Sequence, residues 1–214
     1  MKIRAVALAA VLACCSAAVQ AQGSNIPPLV VDCGNPFVNA YGPFDYRTAA
    51  EGQKSIVEVN HFTPAVESLR TGVSGTIASD LDYTLRAFPN HPRALTAMVR
   101  LGKRDKTPQP RGAQWPVECY LERAIIFAPD DMTARQIRGT YFATAGRYTE
   151  AIRDLEAVID KYPDNASAHY NLGLSHFELK DYDRALAEAK RAAALGLQLE
   201  GLKKKLKAAG KWVD

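Results

Sequence analysis

Residues 132–165 read MTARQIRGTYFATAGRYTEAIRDLEAVIDKYPDN, and residues 166–199 read ASAHYNLGLSHFELKDYDRALAEAKRAAALGLQL. Laid one under the other, the blocks pair Ala134 with Ala168, Gly139 with Gly173, Tyr148 with Tyr182 and Ala151 with Ala185; Asp130, just ahead of the first block, pairs with Asp164 at the same offset of 34 residues. An internal period of this length marks an array of supersecondary units, each too small to bury its apolar face alone.

Each block divides into two helical patterns, Thr133 to Ala145 with Tyr148 to Lys161, then Ser167 to Leu179 with Tyr182 to Leu195. The connections Gly146-Arg147 and Lys180-Asp181 are short enough to demand antiparallel hairpins. Gly139 and Gly173 stand mid-helix, where glycine costs about 1 kcal/mol relative to alanine, so a close neighbour is expected to explain them. Ala151 and Ala185 supply small opposing surfaces, and Leu155, Val158, Ala189 and Ala192 continue that stripe at helical spacing. Pro129-Asp130-Asp131 and Pro163-Asp164-Asn165 end one unit and cap the next.

The pattern extends outward from this pair. Pro129 follows Pro89 by 129−89 = 40 residues, which fits a unit over 92–131 with six extra residues in Thr107-Pro108-Gln109-Pro110-Arg111-Gly112. Its helices are predicted over Pro92 to Lys103 and Val117 to Ala128, after a more degenerate unit over 58–91 with helices near Thr63 to Arg70 and Ser74 to Phe88. Residues 200–214 are read as a capping helix and tail, Leu199 to Ala209, with Lys203, Lys204, Lys205 and Lys207 facing water. Residues 22–57 hold Pro27, Pro28, Gly34, Pro36, Gly42 and Pro43 and are expected to form an irregular arm, whose Phe37, Tyr41, Phe44 and Tyr46 pack on the repeats. The fold class is therefore all-α: an array of antiparallel helical hairpins with an irregular N-terminal arm.

The stretches Tyr170-Asn171-Leu172-Gly173-Leu174, Asp181-Tyr182-Asp183-Arg184-Ala185-Leu186 and Gly139…Tyr148…Ala151…Pro163 resemble the tetratricopeptide repeat. Over the whole chain, Tyr41-Gly42-Pro43-Phe44-Asp45-Tyr46-Arg47, Asp80-Leu81-Asp82-Tyr83-Thr84-Leu85-Arg86 and Ala209-Gly210-Lys211-Trp212 are similar to a group of exported bacterial tetratricopeptide proteins. The resemblance implies a concave face, lined by the first helix of each unit, that takes up a peptide or helix of another protein. Carried over residue by residue, the inward positions are Arg93, Thr96, Arg100 and Lys103, then Gln136, Thr140 and Thr144, then Tyr170, Asn171, Leu174 and Phe177. This groove is basic at its N-terminal part and amphipathic at its C-terminal part, which suits a segment with an acidic stretch followed by an apolar one. Against it stands a plainer reading, in which the basic residues form a solvated helix face and Tyr170 and Phe177 pack on the arm. Asn171 alone matches the clamp that holds a C-terminal carboxylate in chaperone-binding members.

Residues 1–21 order Lys2 and Arg4, an apolar run from Ala5 to Leu12, and Val19-Gln20-Ala21, the arrangement of a secretory signal peptide cleaved near Ala21. A second reading makes Cys14 the lipidated N-terminus of a lipoprotein. No later stretch approaches the ~20 apolar residues of a membrane span. Removing residues 1–21 takes two basic residues from 27, leaving 25 against 23 acidic and a formal charge of +2, which gives no reason to expect nucleic acid. Cys33 and Cys119 remain, expected as a disulfide in an oxidising compartment, with two unpaired thiols as the alternative.

Catalytic patterns are weak. Asp80 and Asp82 point different ways on a helix, and Gly72-Val73-Ser74-Gly75 is too short for a phosphate cradle. His169 and His176 lie seven apart, about 10.5 Å along a helix, and with His61 and His91 complete no metal set. Neither a cofactor nor a metal is implied. The expectation is a periplasmic or secreted scaffold that captures a partner protein, with a lipidated outer-membrane accessory factor as the alternative and an enzyme with an unrecognised site as the remote one. The tail lysines either touch an anionic envelope surface or simply solubilise the last helix.

Overall fold

A computed structural model describes residues 32–212. The expected signal segment, Cys14, Pro27 and Pro28 lie outside the described residues. Among the described residues the regular structure is entirely helical: α1 (Glu51–His61), α2 (Pro64–Glu67), α3 (Ile77–Ala87), α4 (Pro92–Asp105), α5 (Val117–Phe127), α6 (Met132–Thr144), α7 (Tyr148–Lys161), α8 (Ala166–Glu178), α9 (Tyr182–Ala194) and α10 (Glu200–Ala208).

The 34-residue period becomes two successive hairpins, α6–α7 and α8–α9. Both glycines sit where a neighbouring helix leaves little room for a side chain. A Cβ on Gly139 would lie 3.0 Å from Leu155 Cγ and 3.1 Å from Asp154 Cβ, and one on Gly173 would lie 2.7 Å from Leu202 Cδ2. Ala151, Ala185, Leu155 and Val158 are fully buried, so the small-residue stripe is the seam of the packing. Helix starts are capped by the polar residue after each proline turn. Asp131 Oδ1 accepts from the Thr133 and Ala134 amides at 2.9 and 3.1 Å, and Asn165 Oδ1 accepts from Ala168 N at 3.0 Å.

Upstream, α4 and α5 form the hairpin with the inserted loop. Its Ala113 and Trp115 pack into the core of α3, α4 and α5, and the Tyr120 hydroxyl donates to buried Asp82. The first unit departs from expectation. The helix predicted over Thr63 to Arg70 is a single turn, closed by Leu69 at φ 59° with Ser68 Oγ donating to Pro64 O at 2.6 Å. The second begins at Ile77 and not Ser74, because Thr76 Oγ1 accepts from Ser79 N at 3.1 Å and caps it there. The helix that packs on α3 is α1, which reaches back to Glu51 inside the expected irregular arm; Val57 buries against Ala87 and Phe88, and Gln53 Oε1 accepts from Ala50 N at 2.9 Å at its start.

The irregular stretch therefore ends at Ala50. Its Tyr41, Phe44 and Tyr46 pack on Phe88, with ring centroids of Phe44 and Tyr46 at 5.8 and 5.7 Å from that ring. Phe37 reaches the Phe127 ring but keeps 55% of its surface exposed. Cys33 and Cys119 are joined by a disulfide, Cα to Cα 5.1 Å. At the other end α10 buries Leu202 and Leu206 and exposes Lys204, Lys205 and Lys207, with Lys203 half-buried.

Candidate protein-binding groove

Arg93, Thr96, Arg100 and Lys103 follow one another at steps of three, four and three, and so fall on one face of α4. That face meets α6, and the two helices enclose an open cavity of about 570 Å³. Gln136, Thr140 and Thr144 of α6 line the opposite wall, so all seven predicted residues on these two helices share one groove. Its floor is apolar, made of Val99, Ile137 and Tyr141, with Pro92 at one end. A second cavity of about 300 Å³ continues past Lys103, Tyr141 and Thr144 to Pro108 and Val117 at the inserted loop.

The polar groups differ in how far they are committed. Arg93 is held by Glu67, Nε to Oε1 2.8 Å, which keeps the Glu67 carboxyl below its ordinary range. Thr96 and Thr144 donate to Pro92 O and Tyr141 O, and Gln136 Oε1 accepts from Asn165 Nδ2 at 2.8 Å. Burial raises the Tyr141 hydroxyl above its ordinary value, so it stays a neutral donor. Arg100 and Lys103 are exposed and, among the described residues, neither has an ion pair or a side-chain hydrogen bond. The groove thus offers two exposed cations, Arg100 with only the through-space attraction of Glu67, beside an apolar floor.

The four residues predicted on α8 are placed differently. Asn171 stays near the groove, its Nδ2 donating to Thr140 Oγ1 at 3.3 Å. Tyr170, Leu174 and Phe177 pack with Leu202 and Leu206 of α10. Tyr170 also lines a separate cavity of about 150 Å³ with Lys203 and Trp212, and Lys205 lies 5.3 Å over the Phe177 ring. Neither the open groove nor the arm receives these side chains: the closing helix does, because Leu202 drops into the notch left by Gly173.

Other constellations are structural. Ser74 Oγ and Asp80 Oδ1 lie 3.2 and 3.0 Å from the same nitrogen of His61, Nδ1, so they do not form a nucleophile–base–acid relay, which needs both ring nitrogens. Asp80 instead accepts the Val73 and Ser74 amides and closes the loop before α3. His91 is buried and neutral, its pKa pushed down to about 4 chiefly by burial, and its Nδ1 caps α4 by accepting from Ala94 N. Among the described residues no three His, Cys, Asp or Glu side chains are placed to share a metal ion, and no helix is long and apolar enough to cross a membrane.

Residues 138–196 match the tetratricopeptide repeat family. The match spans the second half of α6 and all of α7, α8 and α9. A stretch of 84 residues is also 34% identical to the Hsp70-Hsp90 organizing protein of Triticum aestivum, covering 39% of this chain and 14% of that protein. The chain thus spans about one seventh of the length of that relative. Stacked helical repeats of this kind present extended concave surfaces, and the α4–α6 groove lies between two such hairpins.

Proposed function

We propose that this protein is a non-catalytic adaptor that holds a segment of another protein in the α4–α6 groove. The observation that carries the reading is that Arg100 and Lys103, which among the described residues make no ion pair or side-chain hydrogen bond, stand beside the apolar floor of Val99, Ile137 and Tyr141. Covering this face with a partner takes two exposed cations out of water, a cost that an incoming segment offsets when it brings carboxylates and apolar side chains together. The partner segment is therefore acidic at one end, against Arg100 and Lys103, and apolar where it crosses Ile137 and Tyr141. The relative's printed name, an organizing protein for two other proteins, is in keeping with an adaptor role.

Export through residues 1–21 is part of the proposal. It is supported by the Cys33–Cys119 disulfide, a bond that persists in oxidising compartments. The mass of the mature N-terminus separates cleavage near Ala21 from acylation at Cys14, which would favour a lipidated envelope accessory factor.

The test places a photoreactive residue at Thr96 in the groove and, for comparison, at Lys204 on α10, both exposed. Crosslinking is followed by titration of the captured segment as a synthetic peptide. The reading requires an adduct from Thr96 and not Lys204, and at least about tenfold weaker peptide binding to the Arg100→Glu/Lys103→Glu variant, the cost of about 1.4 kcal/mol. Equal binding by that variant would sink it.

A further inference from the structure

The two helices that wall the groove start from caps that touch one another through a single buried amide. His91 caps α4, and Asp131 caps α6 with Oδ1. Asn90, 1% exposed, lies between them. Its Nδ2 donates to Asp131 Oδ2 at 2.9 Å and to Asp45 Oδ1 at 2.8 Å, while its Oδ1 accepts from Tyr46 N at 2.9 Å. Both amide hydrogens and the oxygen are used, so the side chain has no alternative orientation that keeps its bonds.

The arm completes the link. Arg47 donates to both oxygens of Asp130 at 2.9 and 3.0 Å and also grips Asp45, and Phe44 N donates to Ala87 O at 2.9 Å. Residues 44–47 therefore hold the turn before α4 and the turn before α6 at the same time. Further back the arm is tied to α5 by the disulfide and by Arg123 Nη1, which donates to Cys33 O at 2.9 Å. Among the described residues the next junction, before α8, is bonded by the repeats themselves, Asn165 to Gln136, Arg191 to Asp164 and His169 to Pro163 O.

We propose that residues 45–47 and Asn90 form a strap that fixes the spacing between α4 and α6, and so sets the width of the groove offered to a partner. The strap rests on the adaptor reading only for its purpose; the spacing itself is measurable without a partner. An interhelical distance is the appropriate readout, because a contact that merely adds stability leaves the folded spacing unchanged.

Nitroxides attached through a genetically encoded ketone side chain, which leaves the disulfide intact, are placed at Thr96 and Thr133 across the groove. A reference pair sits at Thr133 and Ser167, across the unstrapped α6–α8 junction. Pulsed dipolar spectroscopy on Asn90→Ala is expected to give about a twofold broader Thr96–Thr133 distribution with the Thr133–Ser167 distribution retained, as for a local opening. Unchanged distributions, or equal broadening of both pairs, would overturn the strap. Arg47→Ala, at a half-exposed position, carries the same expectation and the same two overturning results if Asn90→Ala does not fold. Loss of peptide binding in the charge-reversal variant bears on the adaptor alone, so the two ideas fail separately.

Discussion

Arg138 grips Asp154 across the α6–α7 hairpin, with Nε and Nη2 donating to the two carboxylate oxygens at 2.7 and 2.8 Å, and both side chains are buried. Its third nitrogen donates to Glu122 of α5, so one guanidinium joins two consecutive hairpins. Asp154 also takes Arg135, and one repeat later His169 faces Glu188 at the same spacing.

Removing one partner of such a pair strands a charge in the interior. Asp154→Ala is expected to lower the unfolding free energy by about 3 to 5 kcal/mol, whereas Arg138→Met/Asp154→Leu, which replaces both charges by apolar volume, is expected to cost far less. Urea denaturation of both variants checks this, and a double variant as unstable as the single one would contradict it.

His91 makes stability depend on pH in a defined window. Its folded pKa of about 4 lies below the unfolded value near 6.5, so the unfolded chain binds the proton first. The contribution is complete above about pH 6.5 and is lost as pH falls towards 4, up to about 3 kcal/mol. Burial also lowers His176, which acts in the same direction, so the comparison of wild type with His91→Gln isolates His91. The variant should show a flatter slope of unfolding free energy between these pH values, and an identical slope would refute the assignment.

The disulfide closes a loop of 86 residues and is expected to stabilise the fold by about 4 kcal/mol through the unfolded chain. Cys33→Ser/Cys119→Ser should lower the denaturation midpoint by the corresponding amount, and a reducing agent should lower that of wild type but not of the variant.

Gly139→Ala sets two effects against each other. Helix propensity favours alanine by about 1 kcal/mol, while crowding at 3.0 Å from Leu155 Cγ favours glycine by about 1 to 3 kcal/mol. The expected outcome is a net loss of about 1 kcal/mol, read from thermal or chemical unfolding.

Repeat spacing carried most of the fold because Gly139, Ala151 and their partners one period later lie at close-packed helix contacts, which tolerate few residue types. The α4 wall was legible for a similar reason: Arg93, Thr96, Arg100 and Lys103 recur at helical steps beside a buried stripe. The floor residues Val99, Ile137 and Tyr141 carry no such mark, since an apolar residue beside a seam reads the same whether it faces core or cavity. Tyr170, Leu174 and Phe177 were placed in the open groove because their own helix gives their direction but not their cover. What covers them is α10, whose four lysines obscure the pair Leu202 and Leu206 that does the packing. Helix α1 was missed because Gly52 and a mostly polar surface hide one inward residue, Val57, and α2 was overextended because nothing in Leu69 announces a left-handed backbone.

Helix α10 stands against α8 where another repeat would otherwise begin, and Leu202 already fills the Gly173 recess. The array is in this sense a terminated polymer. A further hairpin could be engineered only by inserting it between Leu195 and Leu199, upstream of the terminator, and end-to-end association of two copies through α8 would first require α10 to be peeled away.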